Sequence, residues 1–216
     1  MTPGPPRAVL WDMDGTLVDS RDHHWRSWQE VLAAEGVAVS EAQFLATFGQ
    51  RNDTILRGWL GAKVAPERVR RIGAAKEAAY RRLVVERGLA PLPGAADWLR
   101  RLDEAGWRQA VASSAPRLNV EVVLRVLGLE RRFRTLVAAE DVKAGKPAPD
   151  VFLAAAARLE VQPGRCVVVE DAEAGIEAAR RAGMSSVGVG VRSADLPVAS
   201  LAELPLDAFE GLVRAG

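Results

Sequence analysis

Two aspartates one residue apart, Asp12 and Asp14, meet the end of the apolar run "AVLWD" (8–12) and are followed at once by Gly15 and Thr16. Like charges that close repel, so each must be solvated, paired or neutralised. Three other stretches also finish or follow an apolar run with polar groups. Ser113 and Ser114 close "RQAVASS", Lys146 lies in "KAGKPAPD" behind "TLVAAE", and Glu170 and Asp171 close "CVVVED". Singly, each has an ordinary structural explanation: a solvated turn, a helix cap, an exposed loop lysine, or acids beside a helix N-terminus. Together they describe one site. Asp12, Asp171 and Glu170 form a hard oxygen cluster suited to Mg²⁺, which would relieve the repulsion. Lys146 as a point charge and Ser113 as a hydroxyl donor suit a phosphoryl group. One carboxylate can attack phosphorus, and a second can protonate the leaving oxygen and later deprotonate water.

The elements that must position these residues follow from patterning. The runs 8–12, 108–114, 135–140, 166–171 and 186–191 are continuously apolar, as in a parallel sheet covered on both faces. Helical patterns alternate with them. "GAADWLRRLDEAG" sets Leu99 and Leu102 on one face before Gly106, "RLNVEVVLRVLG" stops at Gly128, "PDVFLAAAARL" starts after Pro149, and "EAGIEAARRAG" stops at Gly183. The alternation predicts an α/β fold with a doubly wound, Rossmann-like parallel sheet. Its crevice lies beyond the carboxyl ends of the strands. Residues 19–91 break the pattern with helical stretches alone and predict an inserted helical cap, the core being 1–18 and 92–216. Residues 192–216 are expected to form a closing segment with a short helix, "LDAFEGLV".

The whole chain constrains the rest. Its 216 residues are 49% hydrophobic and 26% charged, the balance of a globular protein. A net charge of +1 gives no reason to expect nucleic acid or an anionic membrane as partner. The single cysteine, Cys166, precludes an intrachain disulfide. "MTPGPPR" does not resemble a signal peptide, and no apolar run is long enough to span a membrane, which together predict a cytoplasmic protein. A monomer is compatible with the sequence. Arginine outnumbers lysine 25 to four, so Lys63, Lys76, Lys143 and Lys146 stand out.

"DMDGTLVDS", "VASS", "KPAPD" and "VVEDAEAGIEAA" resemble, in order, the four signature motifs of the haloacid dehalogenase superfamily. With its helical insert, the chain is similar to the subgroup that contains β-phosphoglucomutase and many sugar-phosphate phosphatases. The resemblance implies Asp12 as nucleophile, Asp14 as general acid/base, Ser113 and Ser114 at the phosphate, and Lys146 orienting nucleophile and phosphate. It also implies a Mg²⁺ site made by Asp12, Asp171, Glu170 and the backbone carbonyl of Asp14. Dehalogenases of this superfamily lack an acid at the position of Asp14, so an oxygen leaving group is expected.

The cap is expected to choose the substrate. "HHWRSW" (23–28) resembles the start of the first cap helix of β-phosphoglucomutase. His24 either faces the site or is a satisfied neighbour of a cap core containing Trp25 and Trp28. "FGQRNDTIL" resembles the loop that presents an arginine to substrate, which makes Arg51 a candidate contact, although it stands one place nearer the glycine than in the mutase pattern. Lys76, in "KEAAY", is a second candidate for such a contact, but the favoured expectation is a solvated lysine on a charged helix. These departures favour a phosphatase acting on small phosphorylated metabolites, sugar phosphates foremost. β-Phosphoglucomutase is the alternative, and a non-catalytic phosphate-binding protein a third.

Overall fold

A computed structural model describes residues 4–213. The chain begins with β1 (Ala8–Trp11) and then runs through four helices, α1 (Arg21–Ala34), α2 (Glu41–Leu45), α3 (Asn52–Leu60) and α4 (Pro66–Arg87). It continues with α5 (Ala95–Glu104), β2 (Arg108–Ala112), α6 (Arg117–Leu127), β3 (Thr135–Val137), α7 (Asp150–Leu159) and β4 (Cys166–Glu170). The last elements are α8 (Glu173–Arg181), β5 (Ser185–Val189), β6 (Leu196–Val198) and α9 (Ala208–Leu212).

The strands form one six-stranded sheet in the order β3-β2-β1-β4-β5-β6, every neighbouring pair parallel. The period of two along β1 divides the core. Val9 and Trp11 face a layer that includes residues of α5, α6 and α9, while Ala8 and Leu10 face α7 and α8. Burial on both faces explains the continuous apolar runs. Trp11, fully buried, donates its indole N–H to Gln109 Oε1 at 3.0 Å, and Gln109 donates in turn to the Leu99 carbonyl at 2.8 Å, so this buried polar chain is satisfied.

Two expectations are corrected. The sheet has a sixth strand, β6, which is short and carries Pro197; an edge position tolerates a residue that cannot donate to the ladder. β3 ends at Val137, and the chain turns into a 3₁₀ segment over Ala139–Asp141 rather than running extended to 140.

The helices between β1 and α5 have their own apolar cluster, with Trp28, Leu32, Phe44, Leu56, Val69 and Ile72 buried together. Trp25 stacks on Phe44, and Trp28 meets Trp59 edge-on. The far end of α4 leaves this cluster: Tyr80 and Val84 pack into the sheet's core. The segments entering and leaving the helical layer lie side by side, with Val18 bridging Pro91 and the Leu92 N–H donating to the Leu17 carbonyl at 2.8 Å. No helix among the described residues is long and apolar enough to cross a membrane.

Candidate active site

β1 is central, flanked by β2 and β4, so its carboxyl end lies where the winding reverses, the usual ligand crevice of such sheets. Asp12 lies just past it and still donates its backbone N–H to the Val169 carbonyl at 3.0 Å. Ser113 follows β2, and Glu170 ends β4 with Asp171 behind it. Asp12, Asp14, Ser113, Lys146, Glu170 and Asp171 all line one cavity of about 950 Å³, roofed by the helical layer.

On its floor, carboxylate oxygens of Asp12, Glu170 and Asp171 lie within 4.8 Å of one another. Lys146 donates to Asp12 Oδ1 and to Glu170 Oε1, each at 2.5 Å. Glu170 Oε2 accepts the backbone N–H groups of Asp171 and Ala172, both at 2.9 Å. Burial, with the negative charge of Glu170 and Asp171, pushes the Asp12 carboxyl well above its usual range, although Lys146 opposes this. Burial and Glu170 likewise push Asp171 up to about 7. Lys146 is held in its charged form, its two carboxylates outweighing burial. Three hard oxygen ligands short of positive charge fit a divalent cation. Two glycines make room for them. A Cβ at Gly15 would fall on the Asp171 carboxylate, and one at Gly175 on that of Glu170.

Asp14 is engaged differently. Its Oδ1 accepts the hydroxyls of Ser20 and, at 3.3 Å, Tyr80, and faces His24 Nε2 at 3.5 Å. Its Oδ2 has no hydrogen-bond partner among the described residues and is the oxygen left for the cavity. Burial works against ionisation of Asp14, but the bonds from His24 and Ser20 prevail and hold its carboxyl below the usual value. His24 stacks on Tyr80 with ring centroids 4.0 Å apart. Its Nδ1 lies 2.8 Å from Lys76 Nζ. An ammonium is a donor only, so Nδ1 accepts and the proton sits on Nε2, facing Asp14. Burial, then the nearby Lys76 charge, lowers the pKa of His24 and favours this neutral ring.

The structure therefore brings every core-motif residue to one floor. Ser113 is buried, and its hydroxyl accepts the Ala115 N–H at 3.0 Å in a local turn; α6 itself starts after Pro116. Ser114 lines the cavity beside it. His24 faces Asp14, while Trp28 and the partly buried Trp25 pack in the apolar cluster of the helical layer. Arg51 also lines the cavity, its side chain half-exposed, 3.7 Å from Asp53, with its stem beside Gly145. Lys76 corrects the sequence reading. It is only 2% exposed, bonded to His24 and to Glu77 at 2.9 Å. Ser20, Tyr80, Glu77, Asn52 and Asn119 were not singled out by sequence. One signal was available: Lys76 and Tyr80 stand four apart on α4 and so share a face.

The fold is an α/β one in which a parallel sheet carries an acid cluster at its central strand ends, beneath a helical layer. Residues 6–183 match the haloacid dehalogenase-like hydrolase family, and the chain belongs to it. It is 35% identical over 185 residues to fructose-1-phosphate phosphatase YqaB of Escherichia coli, covering 84% of this chain and 95% of that protein. It is 31% identical over 215 residues to β-phosphoglucomutase of Bacillus subtilis, covering 93% and 92%. Among solved structures it resembles CbbY from Rhodobacter sphaeroides in complex with phosphate, with a TM-score of 0.82 and 30% identity over 92% of this chain and 96% of that one.

Proposed function

We propose that the protein is a Mg²⁺-dependent phosphatase that hydrolyses small phosphorylated metabolites, sugar phosphates foremost, through an aspartyl-phosphate on Asp12. The observation that carries this reading is the convergence of Asp12, Asp14, Ser113, Lys146, Glu170 and Asp171 on one cavity floor. Asp12, Asp171 and Glu170 would hold the cation, which when bound neutralises phosphate charge and the repulsion among these acids.

Asp12 attacks phosphorus with a carboxylate oxygen, and the bond to the leaving oxygen breaks in line with it. Lys146, already bonded to Asp12, aims that carboxylate and offsets phosphate charge. Ser113 and Ser114 offer hydroxyls to the phosphoryl oxygens. Asp14 delivers a proton from Oδ2 to the leaving oxygen, Oδ1 being held by the hydroxyls of Ser20 and Tyr80 and faced by His24. Approach of the anionic phosphate raises the proton affinity of Asp14 when a proton is needed. Once the alcohol departs, Asp14 is ionised and takes a proton from the water that attacks the aspartyl-phosphate.

The similarity to β-phosphoglucomutase supports a second reading, phosphoryl transfer between glucose 1- and 6-phosphate. A mutase must seat a bisphosphate. Of the cations lining the cavity, Lys146 and Lys76 are held by buried carboxylates, while Arg51 and Arg70 are exposed and each faces a surface acid, Asp53 at 3.7 Å and Glu67 at 2.9 Å, so both are available to a second phosphate. The higher identity to fructose-1-phosphate phosphatase than to the mutase, 35% against 31%, favours the phosphatase. The test is a phosphorylated-metabolite screen that scores both phosphate release and isomerised product. Phosphate release that needs Mg²⁺ and disappears in Asp12→Asn supports the phosphatase. Isomerisation faster than release, stimulated by a bisphosphate primer, overturns it.

A further inference from the structure

α4 crosses from the helical layer to the sheet's core, and where it passes α6 it carries a charged cluster that the proposed chemistry does not use. Asn119 of α6 is fully buried. Its amide is gripped at both ends by residues four apart on α4: Nδ2 donates to Glu77 Oε2, and Oδ1 accepts from Arg81 Nη1 at 2.9 Å. Only one orientation of the amide satisfies both, because a carboxylate cannot donate and a guanidinium cannot accept. The other oxygen of Glu77 accepts Asn52 Nδ2 of α3 at 2.6 Å and Lys76 Nζ at 2.9 Å. Burial disfavours the Glu77 charge, but Lys76 and the amides of Asn119 and Asn52 more than offset it. One carboxylate thus joins α3, α4 and α6, and its lysine partner is the group that sets the tautomer of His24 against Asp14.

We propose that Asn119, held between Glu77 and Arg81, is a positioning residue that couples seating of α4 on α6 to the aim of Asp14 at the leaving group, acting through Glu77, Lys76 and His24. If α4 lifts from α6, Glu77 loses its anchor, Lys76 its fixed partner, and His24 the donor that keeps its proton on Nε2. The proposal rests on Asp14 being the proton donor.

The test compares kcat/KM on two aryl phosphates of nearly the same shape, p-nitrophenyl phosphate, whose leaving group departs without a proton, and phenyl phosphate, whose leaving group is more basic. Neither carries sugar hydroxyls. Asn119→Leu, at a residue that lines the same cavity, is expected to lose about tenfold on phenyl phosphate and little on p-nitrophenyl phosphate, the size expected of a residue that acts through others. Glu77→Gln is expected to shift the same ratio, and decides the matter if Asn119→Leu does not fold. Equal losses on both substrates in these variants, or losses confined to sugar phosphates, overturn the proposal. Asp14→Asn is measured on the same pair. Equal losses there remove Asp14 as proton donor and the coupling with it, whereas a skewed Asp14→Asn beside unskewed Asn119 and Glu77 variants overturns the coupling alone.

Discussion

Gly15 and Asp171 pack so closely that any side chain on the first would have to displace the carboxylate of the second. The Gly15 backbone has φ +90°, and a Cβ there would occupy the space of the Asp171 carboxylate. The turn that carries the chain away from Asp12 and Asp14 is thus shaped by an acid 156 positions downstream, which Thr16 also approaches with its hydroxyl at 3.4 Å. Gly15→Ala is expected to cost about 1–3 kcal/mol of stability through backbone strain. It should also displace Asp171 and weaken Mg²⁺ binding. Thermal melts and a Mg²⁺ titration of activity check both. Lost stability with unchanged metal dependence would mean that Asp171 is not a ligand.

The division of labour between the paired aspartates makes a second prediction. Asp14→Asn and Asp14→Ala should lower kcat on a sugar phosphate by about 10²–10⁴, the usual worth of a positioned proton donor. Mg²⁺ binding should be largely kept, because the Asp14 carboxylate is not part of the three-acid cluster. Calorimetric titration of the variants with Mg²⁺ decides this. Loss of binding would place the side chain at the metal.

Tyr80 makes a third. It donates to Asp14 Oδ1 and stacks on His24. Tyr80→Phe keeps the ring and the stack and removes only the hydroxyl. A hydrogen bond to a charged group is worth about 1.5–3 kcal/mol, so kcat should fall roughly tenfold to a hundredfold with KM little changed. A change in KM alone would assign Tyr80 to substrate binding instead.

The strand-end residues of this site were legible in the sequence because two local signals coincide there. Continuous apolar runs mark buried parallel strands, and the polar residues that end them must lie at one edge whatever the strand order. Asp12, Ser113, Glu170 and Asp171 needed nothing more. Lys76 shows where this stops. On a helix with Arg70, Arg71, Arg81 and Arg82, its sequence context is that of a solvated face, and its burial is decided by His24 and Trp28 of α1, more than 40 residues away. Glu77 and Asn119 are similar, since a buried charge is recognisable only once its partners are known. β6 escaped because a three-residue edge strand with a proline carries almost no periodic signal.

The carboxylate cluster makes the protein's stability depend on pH in a direction opposite to that of a salt-bridged acid. Asp171 is raised from 3.8 to about 7, by burial first and then by Glu170, and Asp12 is raised in the same sense by burial. A folded-state pKa above the unfolded one means that the fold holds the proton more tightly. The stabilising contribution is complete below the unfolded value and is lost as pH rises through the folded one. Metal-free protein should therefore lose stability between about pH 4 and 7 from these groups. A divalent cation needs the ionised carboxylates, so it must displace the protons at the low end of that window and finds the acids ready above it. The stabilisation by Mg²⁺, read as a gain in Tm, should be small near pH 5 and clearly larger near pH 8, where it approaches about 2.7 kcal/mol when the ion reaches a hundred times its Kd. Near pH 6, calorimetry in two buffers of different ionisation enthalpy should show proton release on binding. A Mg²⁺ effect that is equal at both pH values, with no proton released, would take Asp171 and Asp12 out of the ligand set.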